Sequence, residues 1–192
     1  PRMSNHEVRF LAESMRSSPA GPRAEMLRLQ NDYLQLQNEL HVWANNPPAV
    51  HPETGTALTS LEKRAEIQNR RLLREQLLKA WRREHVTGIN HRGFATGYAL
   101  RLTPAVMGDL PVLSADFSHI TSLAIDGSPM TTSVDSFLQS FSQLQNIDAR
   151  NLNLSSLPQA LTSMRSLREL RLRNCRISLT TVTESVLSLI HI

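Results

Sequence analysis

The chain has 192 residues, 40% of them hydrophobic but only 5% aromatic, which allows one medium domain or two small ones with a mainly aliphatic core. No run of about 18 apolar residues occurs, so no segment is expected to cross a membrane as a helix. The single cysteine excludes an internal disulfide. The net charge of +4 rests on 19 arginines and two lysines, Lys63 and Lys79, a bias that reads as GC-rich coding rather than as a nucleic-acid signature. "PRMSNHEVRF" has no apolar stretch of the Sec signal-peptide kind. A chain that starts at Pro1 is expected to be a piece of a longer protein.

A first helix is expected from Ser4 to about Met15. Ser4 and Glu7 have capping-box spacing, and Val8, Leu11 and Met15 share one face. "SSPAGP" ends it, and Pro22 suits the first turn of a second helix. There Met26, Leu29, Tyr33, Leu36, Leu40 and Trp43 recur at three- and four-residue steps, an apolar stripe facing a core. "NNPP" stops this helix, because proline cannot continue the hydrogen-bond ladder. Thr59 and Glu62 form a second capping-box spacing, opening a third helix to about Glu84. Its stripe includes Leu73, Leu77, Ala80 and Trp81.

Between Glu62 and Arg92 there are nine Lys/Arg and four Asp/Glu. Such a basic helix suits nucleic acid or an acidic membrane. The simpler expectation is a solvated arginine face with an Arg71–Glu75 pair one turn apart. No RRM signature, zinc-finger spacing or aromatic platform accompanies the arginines.

The back half has another period. Four segments fit L-x-x-L-x-L-x-x-N/C-x-L, the leucine-rich-repeat template. They are Gly97, Leu100, Leu102, Ala105, Met107; Ile120, Leu123, Ile125, Ser128, Met130; Leu144, Ile147, Ala149, Leu152, Leu154; and Leu167, Leu170, Leu172, Cys175, Ile177. Their starts are 23, 24 and 23 residues apart. Leu110–Pro111 and Leu157–Pro158 each lie 13 residues into their segment. One such unit cannot bury its apolar face alone, whereas stacked units form a parallel sheet over a shared core. Leu170 and Leu172 then point inward and the residues between them outward.

Cys175 takes the ninth template position, where the side chain turns inward, so it reads as a structural ladder residue rather than a reactive thiol. The seven histidines, His6, His41, His51, His85, His91, His119 and His191, show no metal-ligand spacing. No catalytic residue, cofactor site or metal site is assigned. The outward rows of the sheet are instead the expected partner surface. Arg101, Ala124, Asp148 and Arg171 form one row, and Thr103, Asp126, Arg150 and Arg173 the next. Of these, Arg101, Asp126, Asp148, Arg150, Arg171 and Arg173 are the candidate binding residues, and their mixed charge favours a protein over nucleic acid.

Several stretches carry a resemblance: "GPRAEMLRLQNDYLQLQNELHVWANNPP", the "HPETG" loop, "LLKAWRRE", "GYALRL" with "GDLPVLSADFSHITSLAI", and "LRELRLRNCRISL". Together they resemble the helical segment and first repeats of large bacterial leucine-rich-repeat effectors. Those effectors carry a C-terminal NEL-type E3 ubiquitin ligase domain and often a dermonecrotic-toxin-like N-terminal region. The resemblance implies a host-directed protein, made in the bacterial cytoplasm and secreted into the host cell. Its repeats would select a protein target, and a distal domain would transfer ubiquitin from a ubiquitin-conjugating enzyme. The family's catalytic cysteine lies in a Cys-x-Asp motif. Cys175 is followed by Arg176 and Ile177, so no catalytic role carries over to this chain.

The expected fold is therefore α+β. Residues 1–92 form a helical segment that caps the solenoid, with Trp81 and Trp43 packed on neighbouring helices and Phe94 near the junction. Residues 93–186 form a short leucine-rich-repeat solenoid with a parallel concave sheet, its repeats starting near 97, 120, 144 and 167. Residues 187–192, "LSLIHI", translate CTGTCTCTTATACACATC, which resembles a transposase mosaic-end adapter, so this tail is expected to be non-native. With no polar terminal repeat, Leu170, Leu172 and Ile177 are expected to lie uncovered.

Overall fold

Thr59 opens the longest stretch of basic helix as the spacing predicts. The Glu62 amide donates to Thr59 Oγ1 (3.3 Å) and the Thr59 amide donates to Glu62 Oε2 (2.7 Å), so two orphan donors of the helix start are satisfied together. The structure, a computed structural model, describes residues 5–84, 86–89, 95–154, 156–177 and 190–191. Ser4, His85, His91 and Phe94 lie outside them.

Three helices lead. Helix α1 (Asn5–Ser17) has no fully buried side chain among its described residues. Leu11 and Met15 are half-buried, but Val8 is 52% exposed, against expectation. α1 is held instead by Phe10, whose ring lies 3.2 Å beneath the Arg83 guanidinium, and by an ion pair of Glu7 with Arg82. Helix α2 (Pro22–Asn45) buries Leu29, Leu36, Leu40 and Ala44. Met26, expected in the stripe, is 50% exposed. The reason is length: helix α3 (Ser60–Trp81) ends level with Tyr33, whose ring lies 5.4 Å from that of Trp81. The first turn of α2 thus has no turn of α3 across from it.

α3 buries Leu73, Leu77, Leu78 and Ala80, and also Glu66 and Arg70. These two correct the expectation of a wholly solvated arginine face: Arg70 is 4% and Glu66 2% exposed. Arg71, expected to pair with Glu75, donates to Asn45 Oδ1 (2.9 Å).

A six-stranded sheet follows. Its strands are β1 (Val86–Ile89), β2 (Ala95–Leu102), β4 (Ile120–Asp126), β6 (Asn146–Arg150), β8 (Glu169–Arg173) and β10 (Ile190–His191), in that spatial order. β1 runs antiparallel to β2 and every other neighbouring pair is parallel. The pairing aligns Leu100, Leu123, Ile147 and Leu170 in one row and Leu102, Ile125, Ala149 and Leu172 in another. All eight are buried. These positions occur every second residue, so they share one face. Each large aliphatic removed from water there contributes about 1.5–3 kcal/mol.

Short returning segments cover that face. β3 (Gly108–Asp109) pairs with β5 (Thr131–Ser133), and β7 (Asn153–Leu154) pairs with β9 (Arg176–Ile177). A four-residue helix α4 (Asp135–Leu138) and a 3-10 turn at Gln159–Ser163 complete the returns. Leu110, Pro111, Leu157 and Pro158 are all buried at the start of their returns. Although aromatics are few, Phe117, Phe137 and Phe141 are fully buried here, with ring centroids 5.0–5.1 Å apart along the series. Leu36 and Leu40 of α2 and Leu73, Leu77, Leu78 and Ala80 of α3 join the same core.

Two expectations change. Ala105, given an inward template position, is exposed, because the strand alternation continues and turns Pro104 and Val106 inward instead. Leu170 and Leu172, expected to be uncovered, are 1% and 9% exposed. β10 runs beside β8, with Ile190 opposite Leu170 and His191 opposite Arg171, and extends the sheet past the last leucine row.

Candidate functional site

The other face of the sheet is polar. Leu100 and Leu102 turn inward, so Arg101 between them turns out, and the register repeats this choice on each strand. Arg101, Ala124, Asp148 and Arg171 lie side by side. Asp126, Arg150 and Arg173 form the adjoining row, with Thr103 one residue past the end of β2. Arg101, Thr103, Asp126, Arg150, Arg171 and Arg173 are exposed, and Ala124 and Asp148 are half-buried. The structure thus brings all six candidate binding residues onto one face.

Their electrostatics centre on Asp148. Arg150 donates to its carboxylate from Nη2 (3.0 Å) and Nε (3.3 Å), and Arg173 Nε lies 3.9 Å away. The hydrogen bond from Arg150 holds the Asp148 carboxyl below the usual carboxylate range, aided by the charges of Arg150, Arg173 and Arg171. The same bond raises the Arg150 guanidinium. Arg171 pairs with Glu169 on its own strand (2.6 Å). These are half-exposed pairs of the kind that contribute little to stability. Their effect is to hold long arginine side chains in place.

One edge of this face leads into a polar groove of about 550 Å³, lined by Glu53, Pro129, Asn151, Leu152, Asn174 and Arg176 among others. Asn174 Nδ2 donates to Asn151 Oδ1, and Asn151 Nδ2 donates to Asp126 Oδ1, both at 2.6 Å. Both asparagines adopt positive φ, 55° and 51°, a conformation asparagine tolerates better than most residues. This amide ladder joins three successive strand ends and was not read from the sequence. Its trace there is the recurrence of Asn151 and Asn174 at a spacing of 23 residues.

Cys175 is half-buried. Its thiol is directed at the carbonyl oxygens of Ala149 and Arg173, both at 3.4 Å. Among the described residues no basic side chain bonds the thiol, as activation of a nucleophile would need. Among the described histidine side chains, His119 is the most constrained. Its Nε2 donates to Ala80 O (2.8 Å), its ring packs on Phe117 and Tyr98, and Nδ1 is buried with no partner among the described residues. Burial, then the neighbouring Arg83 charge, lowers His119 to about 4. Burial likewise lowers Arg83 to about 10. Among the described residues, no group of three or more His, Cys, Asp or Glu is placed to hold a metal ion.

Set against known protein families, curated proteins and solved structures, the chain matches none of them.

Proposed function

We propose that this chain is a non-catalytic protein-binding module. Its helical segment caps a short leucine-rich-repeat solenoid whose concave sheet face selects a protein target. The observation that carries this reading is the strand register. Residues 23 or 24 apart fall opposite one another, leucines on the buried side and charged residues on the exposed side. Repetition builds a broad, rigid surface with side chains at fixed intervals, which suits recognition of an extended or helical partner. The family resemblance extends the proposal: the module belongs to a host-directed bacterial effector, and any ubiquitin transfer takes place in another domain.

Two further observations support this over its rivals. The Cys175 thiol serves a carbonyl, and among the described residues no basic side chain is bonded to it. The basic helix α3 loses Arg70 to the interior and Arg71 to Asn45, which weakens the case for a nucleic-acid or membrane surface there.

A photo-crosslinking residue at Ala124, in the middle of the face, tests the proposal, with the same residue at Gln139 on the return side as control. In host-cell lysate the Ala124 position should capture a defined protein. Alanine at Asp148, Arg150, Arg171 and Arg173 together should abolish that capture. Equal capture from both positions, or capture untouched by the four substitutions, overturns the reading. Incubation with a charged ubiquitin-conjugating enzyme should give no reducible adduct; an adduct lost on Cys175→Ser would assign catalysis to this chain.

A further inference from the structure

The charge of the chain is localised. Five of its 21 basic residues and one of its 17 acidic residues lie in 165–176. That segment therefore carries +4, the net charge of the whole chain, and the remaining 16 basic and 16 acidic residues cancel. Arg171 and Arg173 of this segment project from β8 onto the exposed face.

There Arg173 stands directly opposite Arg150 on β6. Like charges directly across neighbouring strands are destabilising. Asp148 lies between them and within reach of both, at 3.0 Å from Arg150 and 3.9 Å from Arg173. One carboxylate thus serves two guanidiniums and also feels Arg171. Arg173 makes no side-chain hydrogen bond among the described residues, and its side chain is 47% exposed. The cluster is pre-ordered, and Arg150 and Arg173 share one carboxylate while Arg171 has Glu169. A local conflict of this kind, held in place by neighbouring groups, is what a binding site leaves on a fold.

Resting on the docking reading above, we propose that Arg150, Arg171 and Arg173 form an anion-binding corner of the face that grips side-chain carboxylates of an acidic partner segment. Guanidiniums bind carboxylates through paired N–H donors. The intervening acids decide against nucleic acid. Asp148 and Glu169 sit among the arginines, and Asp126 adjoins them. A phosphate backbone carries charge at short, regular intervals and would be forced onto these carboxylates. Discrete glutamates or aspartates can alternate with them.

The test measures fluorescence anisotropy of labelled oligoglutamate, oligolysine and oligothymidylate against the full chain. Oligoglutamate should bind and oligolysine should not. Arg150→Gln, Arg171→Gln and Arg173→Gln combined should weaken oligoglutamate binding by about tenfold or more. Arg23→Gln, exposed in the first turn of α2, should leave it unchanged. Asp148→Asn should tighten it, because removing the internal competitor frees the guanidiniums. Circular dichroism establishes that each variant is folded, and the single Arg173→Gln variant, which breaks no hydrogen bond, replaces the triple one if that fails to fold. Oligothymidylate binding as tight as oligoglutamate, or weaker oligoglutamate binding by Asp148→Asn, overturns the inference. Failure of oligoglutamate to bind while the face still captures its partner through Ala124 removes the acidic-partner inference and leaves the docking reading standing. Loss of capture specificity at Ala124 with intact oligoglutamate binding removes the docking reading instead.

Discussion

Arg70 Nε donates to Glu66 Oε1 across 2.8 Å, with both side chains almost wholly removed from water. The pair ties three parts of the fold together. Arg70 Nη1 donates to the carbonyls of Trp43 (2.9 Å) and Asn46 (3.0 Å), Nη2 donates to Met107 O (2.8 Å), and the Met107 amide donates back to Glu66 Oε1 (2.9 Å). The guanidinium also lies 4.5 Å from the Trp43 ring centre. Carbonyls at the end of α2, where the regular helical donors run out, thereby meet a cation, the favourable charge for that end.

Breaking this pair should be costly. Arg70→Met leaves the Glu66 carboxylate buried and unpaired, and such single removals cost about 3–5 kcal/mol. For a chain of this size each kcal/mol lowers the melting temperature by about 2–4 °C. The double variant Glu66→Leu with Arg70→Met should recover a good part of the loss, since no charge is then stranded. Thermal melts of the two single variants and the double variant measure this, and simple additivity would mean the two residues do not act as a pair.

His119 makes stability depend on pH. Its folded value, about 4, is below its ordinary 6.5. A second proton would sit on Nδ1, buried with no acceptor among the described residues and near the Arg83 charge. The unfolded chain therefore binds more protons between these values, and stability rises with pH across that window. The contribution is complete above about pH 6.5 and is lost as pH falls toward about 4, amounting to about 3 kcal/mol at most. His119→Gln keeps a donor for Ala80 O but does not titrate. Denaturant melts at pH 7 and pH 4.5 should show a smaller acid loss for the variant than for the parent, and equal losses would exclude His119 as the cause.

Much of this architecture was legible beforehand, and the exceptions have physical reasons. The spacing that aligns Leu100, Leu123, Ile147 and Leu170 is also the pairing of the strands, because each strand begins one return after the last. The Thr59–Glu62 box was legible because it is local. The Glu66–Arg70 pair was not, although its trace is there: Glu66, Arg70, Leu73 and Leu77 follow helical spacing. Two charges on an apolar stripe mark a buried pair only when the partners that satisfy them are known, and here those are the distant carbonyls of Trp43, Asn46 and Met107. Val8 and Met26 failed as core residues for a related reason. Periodicity identifies a face, but not how far a neighbouring helix extends along it.

Gly127 is required by packing between successive units. A Cβ there would run into Leu152 Cδ2, and the Gly127 amide is already committed to Arg150 O (2.8 Å). Gly127→Ala should therefore destabilise by about 1–3 kcal/mol through overpacking. Leu152→Ala alone should cost about 2–5 kcal/mol through its cavity. Combined, the two should cost less than the sum, because the new methyl occupies the space that the leucine vacates. Urea melts of the three variants provide the cycle, and strict additivity would show that the two sites do not touch.

The edge of the sheet provides the last prediction. β8 has β6 on one side and only the short β10 on the other, paired through Ile190–Leu170 and His191–Arg171. An uncovered parallel strand presents unpaired backbone donors to water and to other chains. Deleting residues 187–192 removes β10, so β8 becomes such an edge. Amides in 169–173 that donate toward β10 should then exchange faster, while those of Thr121–Asp126, between β2 and β6, should keep their protection. The truncated chain should also self-associate more readily at high concentration, because the leucine row ending at Leu170 loses its neighbour. Native hydrogen exchange and sedimentation of both forms test the two effects. Unchanged protection in β8 would show that β10 pairs with β8 without stabilising it, as a non-native tail should.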